Sequence, residues 1–99
     1  MSAFCLLQIC NVRDRARLKI YTDAAPATVA DFGGELVFRG KVSGALSGEP
    51  AHESAVVLRF PDSASVDGWY ASEGYQALVG DRDAAADVVV TRYDEPDFF

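Results

Sequence analysis

Apolar residues fall along this chain in two rhythms, dense runs of strand length and a three-and-four spacing of helical type. Phe4 to Cys10 is an apolar run interrupted only by Gln8, which predicts a first strand. Asn11 or Asp14 can then cap a helix, because a short side-chain oxygen accepts from a backbone N–H that has no partner within the first turn. Leu18, Tyr21, Ala25, Val29 and Phe32 recur at steps of three and four, the spacing of one helical face. Pro26 falls inside that helix. It withholds a backbone donor and costs about 3 kcal/mol in a helix interior, so a kink or two abutting segments is expected there. Gly33-Gly34 ends the helix, since glycine adopts the left-handed closing conformation without a Cβ penalty.

Glu35 to Arg39 predicts a second strand, continued from Lys41 to Leu46 beyond a bulge or bend at Gly40. Gly48 to Glu53 is a turn-rich loop, and Ala55 to Phe60 is a third strand that Pro61 ends. Asp62 or Ser63 opens a second helix, which presents Val66, Trp69 and Tyr70 to the sheet and breaks near Ser72-Glu73-Gly74. A further short helix carries Tyr75, Leu78 and Val79. Gly80 to Asp83 and the alanines 84 to 86 then lead to a last strand, Asp87 to Tyr93. The order β-α-β-β-α-β, with right-handed crossovers, gives an antiparallel four-stranded sheet with its helices on one face. That is the ferredoxin-like α+β arrangement. Residues 1–93 form this single domain, and 94–99 an acidic tail whose Phe98 and Phe99 could dock on a neighbouring chain.

Strands wetted on one side alternate apolar and polar residues. Leu6-Leu7, Val56-Val57-Leu58 and Val88-Val89-Val90 do not. Helices cover one face of the sheet only, so the other face calls for a cover this chain does not contain. A second copy, sheet facing sheet in a two-fold dimer, is the most economical one.

Composition narrows the partners. Fifteen acids against nine bases give a net charge of −6, which repels phosphate backbones and anionic membrane surfaces. No run approaches the ~20 apolar residues of a membrane span, and the N-terminus lacks the pattern of a signal peptide, so a cytoplasmic location is expected. Cys5 and Cys10 lie an odd number of residues apart on one predicted strand. They face opposite sides about 16 Å apart, beyond disulfide reach, and read as small core thiols. No set of His, Cys, Asp and Glu shows metal-ligand spacing, no glycine-rich phosphate loop precedes a helix, and no cofactor is expected.

The residues that could carry chemistry are few. Arg39 and Arg59 interrupt apolar strands, and a guanidinium so placed either joins an interface salt bridge or anchors a carboxylate or enolate ligand through its bidentate fork. Trp69, Tyr70 and Tyr75 bring large areas with polar tips, suited to packing the helices on the sheet or to lining a cavity that binds a ligand. His52, the sole histidine, is a general-base candidate on pKa grounds and otherwise a solvated loop residue; Tyr70 is the other candidate for proton relay.

The residues Tyr21…Ala25-Pro26…Phe32-Gly33-Gly34, Arg39-Gly40, Gly48, Phe60-Pro61, Trp69-Tyr70-Ala71-Ser72…Tyr75-Gln76 and Arg82 together resemble the small bacterial domain-of-unknown-function family thirteen-thirty. The resemblance spans nearly the whole chain, from about Phe4 to Tyr93. It implies a dimeric α/β barrel, the fold of antibiotic-biosynthesis-type monooxygenases, muconolactone isomerases and stress-responsive barrel proteins, whose cavity between sheet and helices holds a small molecule. Two positions depart from the family pattern. Arg59 stands where an acid usually precedes Phe-Pro, and Ser72-Glu73-Gly74-Tyr75 replaces Ser-Pro-Glu-Tyr. The expected function is a homodimer that binds a small apolar or anionic molecule. The alternatives are a cofactor-free oxygenase or isomerase acting on an enolisable substrate, and a non-catalytic binding or regulatory module.

Overall fold

The computed structural model describes residues 2–95. Its elements are β1 (Ala3–Cys10), α1 (Arg15–Ala30), β2 (Glu35–Lys41), β3 (Ser54–Phe60), α2 (Ser63–Ala71), α3 (Glu73–Ala85) and β4 (Asp87–Asp94). The strands form one antiparallel sheet in the order β2-β3-β1-β4, the ferredoxin-like topology. The expected docking of Phe98 and Phe99 lies outside the described residues.

Strand alternation sorts the residues of the sheet. Ala3, Cys5, Leu7 and Ile9 of β1 are buried under the helices, while Phe4, Leu6, Gln8 and Cys10 between them face the other way and are half-buried. Directly paired residues share a face, so Val57 and Phe38 lie on the side of Leu6, and Tyr93 and Val89 lie beside Phe4 and Gln8. Phe38, Val89 and Tyr93 remain about half exposed. The open face is therefore apolar, as expected. Cys5 is a core thiol, whereas Cys10 is on the open face and belongs to no core.

The helices start where side chains satisfy orphan amides. Asp14, Asp62 and Ser72 accept from the backbone N–H of Arg17, Ser65 and Tyr75 respectively. Of the two cap candidates for α1 it is Asp14 that acts; Asn11 instead takes a left-handed turn at φ 51°. Three expectations need correction. First, of the two forms expected at Pro26, abutting segments do not occur: α1 is one helix through Pro26, and Val29 and Thr28 tie its last turn to the core, Val29 being buried and Thr28 Oγ1 accepting from the Trp69 indole at 3.1 Å. Its last helical residue is Ala30, so Phe32 lies in the closing turn, where Gly33 takes the left-handed position at φ 75°.

Second, β2 stops at Lys41 and does not reach Leu46. Val42 N donates to Glu53 O in a last rung, and beyond it no strand offers partners, leaving Leu46 fully exposed. The bulge is at Val37, not Gly40, since Gly40 pairs in register with Ala55. A Cβ on Gly40 would sit 2.8 Å from the Phe38 ring, so the glycine makes room for that side chain. Third, the helix carrying Tyr75 continues past Gly80 to Ala85, held against α1 by an Asp81–Arg17 ion pair at 3.0 Å and by Arg13 N donating to Ala85 O.

Candidate functional site

Packing is uneven over the covered face. α2 lies on β1, β3 and β4, while α1 packs chiefly on α3 and reaches the sheet through Tyr21 and Val29. The gap between α1 and the β1–β3–β2 side of the sheet is a cleft of about 170 Å³. Leu7, Ile9, Val56 and Leu58 form its floor, Ala25, Pro26 and Val29 its helical wall, and Trp69 one end, with Leu36 reaching over from β2. Its polar lining residues are Tyr21, Thr22, Glu35 and Arg39, of which Glu35 pairs with Arg59 and turns its carboxylate to the open face. Apolar walls with a few polar groups are the usual composition of a small-molecule site. An enclosed apolar cavity of about 150 Å³ holds benzene, which sets the scale of what fits.

At its inner end the cleft meets a buried polar cluster. Tyr21 Oη lies 2.7 Å from Tyr75 Oη, and Arg82 Nη1 donates to Tyr75 Oη at 3.0 Å and to Tyr70 Oη at 3.2 Å. Arg82 Nε donates to Asp83 Oδ1 at 3.0 Å. The guanidinium side chain is only 7% exposed, and its one carboxylate partner is a half-exposed neighbour. Burial works against the Arg82 charge, but the bonds to Tyr70, Asp83 and Tyr75 outweigh it and hold the group protonated above its ordinary range. Burial also raises both Tyr21 and Tyr75, so the phenols stay neutral donors. The aromatic rings stack around this cluster, with Trp69 and Tyr75 centroids 4.4 Å apart and Trp69 and Phe60 5.4 Å apart.

Trp69 and Tyr75 have no exposed surface. Trp69 separates the first cleft from a second of about 400 Å³ between α2, α3 and β4, where Tyr70, Arg82, Asp67 and Arg92 meet. There Arg92 and Asp67 already satisfy one another at 2.6 and 2.8 Å.

The sequence-derived candidates do not gather in one place. Arg39 pairs with Val56 and lines the first cleft. Arg59 faces the open side, 4.0 Å from Glu35 and hydrogen-bonded to Ser2 Oγ at 3.1 Å. Tyr70 lines the second cleft. His52 sits in the β2–β3 loop with Nδ1 3.4 Å from the amide of Gln8, an open-face residue. The sheet separates His52 and Arg59 from Tyr70 and Arg39. Tyr21 and Arg82 were not singled out from sequence as site residues. The available signal was the seven-residue step from Tyr75 to Arg82, two helical turns, which puts both on one face once α3 is allowed to pass Gly80. Among the described residues no group of three potential ligands could hold a metal ion, and no helix is long and apolar enough to cross a membrane.

The family model described as Domain of unknown function (DUF1330) matches residues 2–93. No curated protein matches the chain. Solved structures share its fold at low identity. A dimeric ferredoxin-like protein of unknown function from Jannaschia sp. CCS1 superposes with a TM-score of 0.79 at 12% identity, over 96% of this chain and 100% of the other. A protein of unknown function from Rhodopseudomonas palustris gives 0.78 at 16%, over 97% and 84%. A variant of SnoaB, a cofactor-independent oxygenase from Streptomyces nogalater, gives 0.69 at 9%, over 97% and 94%.

Proposed function

The chain belongs to the DUF1330 family, and from that premise we propose that it acts as a homodimer binding a small apolar or anionic molecule in the cleft between α1 and the sheet. The cleft carries the reading: an apolar recess bounded by Leu7, Val29, Leu58 and Trp69, with polar side chains restricted to one phenol, one threonine and one guanidinium. The dimer rests on the open face, where Phe4, Leu6, Phe38, Val57, Val89 and Tyr93 form an apolar sheet surface that the described residues leave half-exposed. The dimeric state in the Jannaschia protein's description supports the same assembly.

A cofactor-free oxygenase, the description carried by SnoaB, has less support. The groups that would relay a proton and hold an enolate, His52, Tyr70, Arg39 and Arg59, do not converge on one recess of a protomer.

Native mass spectrometry tests both parts of the reading. The wild type is expected as a dimer, and Val57→Lys, which puts a charge at the centre of the open face, as a monomer. A folded wild type that stays monomeric at micromolar concentration refutes the assembly. Binding is read by nuclear magnetic resonance titration with small aromatic compounds, which should shift the amides of Leu7, Val29 and Val56.

A further inference from the structure

Arg82 imposes a direction on the buried hydroxyl chain. A guanidinium only donates, so Nη1 gives its hydrogen to Tyr75 Oη. Tyr75 has no exposed surface, and the only acceptor for its own proton among the described residues is Tyr21 Oη at 2.7 Å. Reversing that bond would bring two donors onto Tyr75 and leave its proton buried without an acceptor, a state that folded proteins avoid. The order is therefore Arg82 to Tyr75 to Tyr21. The Tyr21 proton is left with no acceptor among the described residues, and Tyr21 lines the apolar cleft.

An independent observation gives the charge of what would accept it. Six of the nine basic side chains have a carboxylate within ion-pair distance. The remaining three, Arg15, Arg39 and Lys41, have none among the described residues, and all three line one groove. That groove shares Ile9, Thr22, Arg39 and Val56 with the cleft and so opens from it. Its two acids are engaged: Asp23 with Lys19 at 2.7 Å, and Glu53 with Val12 N at 3.1 Å. Glu35, at the cleft's edge, turns its carboxylate to Arg59 on the open face. On a chain of net charge −6 this is a local surplus of positive charge beside an apolar recess.

We propose that the cleft takes a small monocarboxylic acid, its apolar body between α1 and the sheet and its carboxylate accepting the Tyr21 hydroxyl with Arg39 as counter-charge. This rests on the cleft being the binding site. Arg82 is a positioning residue that acts through Tyr75.

Calorimetric and NMR titrations of the full chain with phenylacetate and its neutral analogue phenylacetamide test it. The acid should bind about tenfold or more tighter than the amide, and its affinity should fall with salt. Arg39→Gln should erase the preference of acid over amide, and Tyr21→Phe should weaken the acid about tenfold. Arg82→Lys, which still only donates, should keep the preference that Arg82→Met loses; if Arg82→Met does not fold, the Tyr21 and Arg39 variants still decide. Equal affinity for acid and amide overturns the assignment of an acid and leaves the cleft as a binding site. No binding of either, or shifts away from Leu7, Val29 and Val56, overturns both.

Discussion

The directed hydroxyl chain makes a quantitative prediction for stability. Tyr75→Phe removes two bonds, one from the charged Arg82 at 3.0 Å and one to Tyr21 at 2.7 Å. A bond from a charged group contributes about 1.5–3 kcal/mol and a neutral one about 0.5–1.5, so the loss should be about 2–4 kcal/mol. Arg82 keeps Tyr70 and Asp83, which argues for the lower half of that range. Tyr21→Phe removes one bond but strands the Tyr75 proton, at about 1–3 kcal/mol. With Tyr75 already replaced, the Tyr21 hydroxyl has no bond left to lose, and Tyr21 lines the cleft, where water can satisfy it. The double variant should therefore be little worse than Tyr75→Phe alone, and the cycle should show about 1–2 kcal/mol of coupling. Urea unfolding at one fixed protein concentration measures it; a domain of this size stabilised by about 5–15 kcal/mol tolerates the loss. Single effects that add to within about 0.5 kcal/mol would show that the two hydroxyls do not act in series, and the direction assigned to the Tyr21 proton would fall with them.

Two further outcomes follow from close packing and burial. A Cβ at Gly34, which lines the cleft, would lie 2.6 Å from Val29 Cγ1 and 2.7 Å from Phe60 Cε1, so Gly34→Ala should destabilise by about 1–3 kcal/mol in urea unfolding. Gly80→Ala, inside α3 with nothing near, should instead stabilise by about 0.5–1 kcal/mol; equal effects at the two sites would refute the packing argument. Burial pushes the Cys5 thiol up to about 11. At pH 8 about one molecule in a thousand carries the thiolate, and its fraction rises tenfold per pH unit until about 11. Alkylation of the native protein at pH 8, read by peptide mass, should leave Cys5 unmodified, and rapid labelling there would contradict its burial.

Much of the fold is legible because it rests on local rules. The β1 run, the Leu18–Tyr21–Ala25–Val29 stripe and the Asp or Ser caps each describe what a short segment does with its own hydrogen bonds and apolar side chains. The errors share a different cause. Gly80 reads as a breaker, yet α3 passes it because Asp81 and Arg82 are anchored to Arg17, Tyr70 and Tyr75, two of them on other helices. Lys41 to Leu46 has strand-like composition, yet a strand needs a neighbour to pair with, and β3 begins only at Ser54. The candidate site shows the same division. Arg39 stands out as a charge in an apolar run, whereas Tyr21 looks like any core aromatic until Tyr75 is placed against it.

The order of apolar and polar residues was sufficient by itself to determine the elements, the ferredoxin-like order and the surplus of apolar sheet, because these depend on period, caps and the number of greasy faces against the helices available. Where a recess opens between α1 and the sheet, which bases lack acids, and which way a buried proton points were decided only in three dimensions. Those depend on how separate elements come together in space, as Tyr21 and Tyr75 do, and no local pattern encodes such a distance.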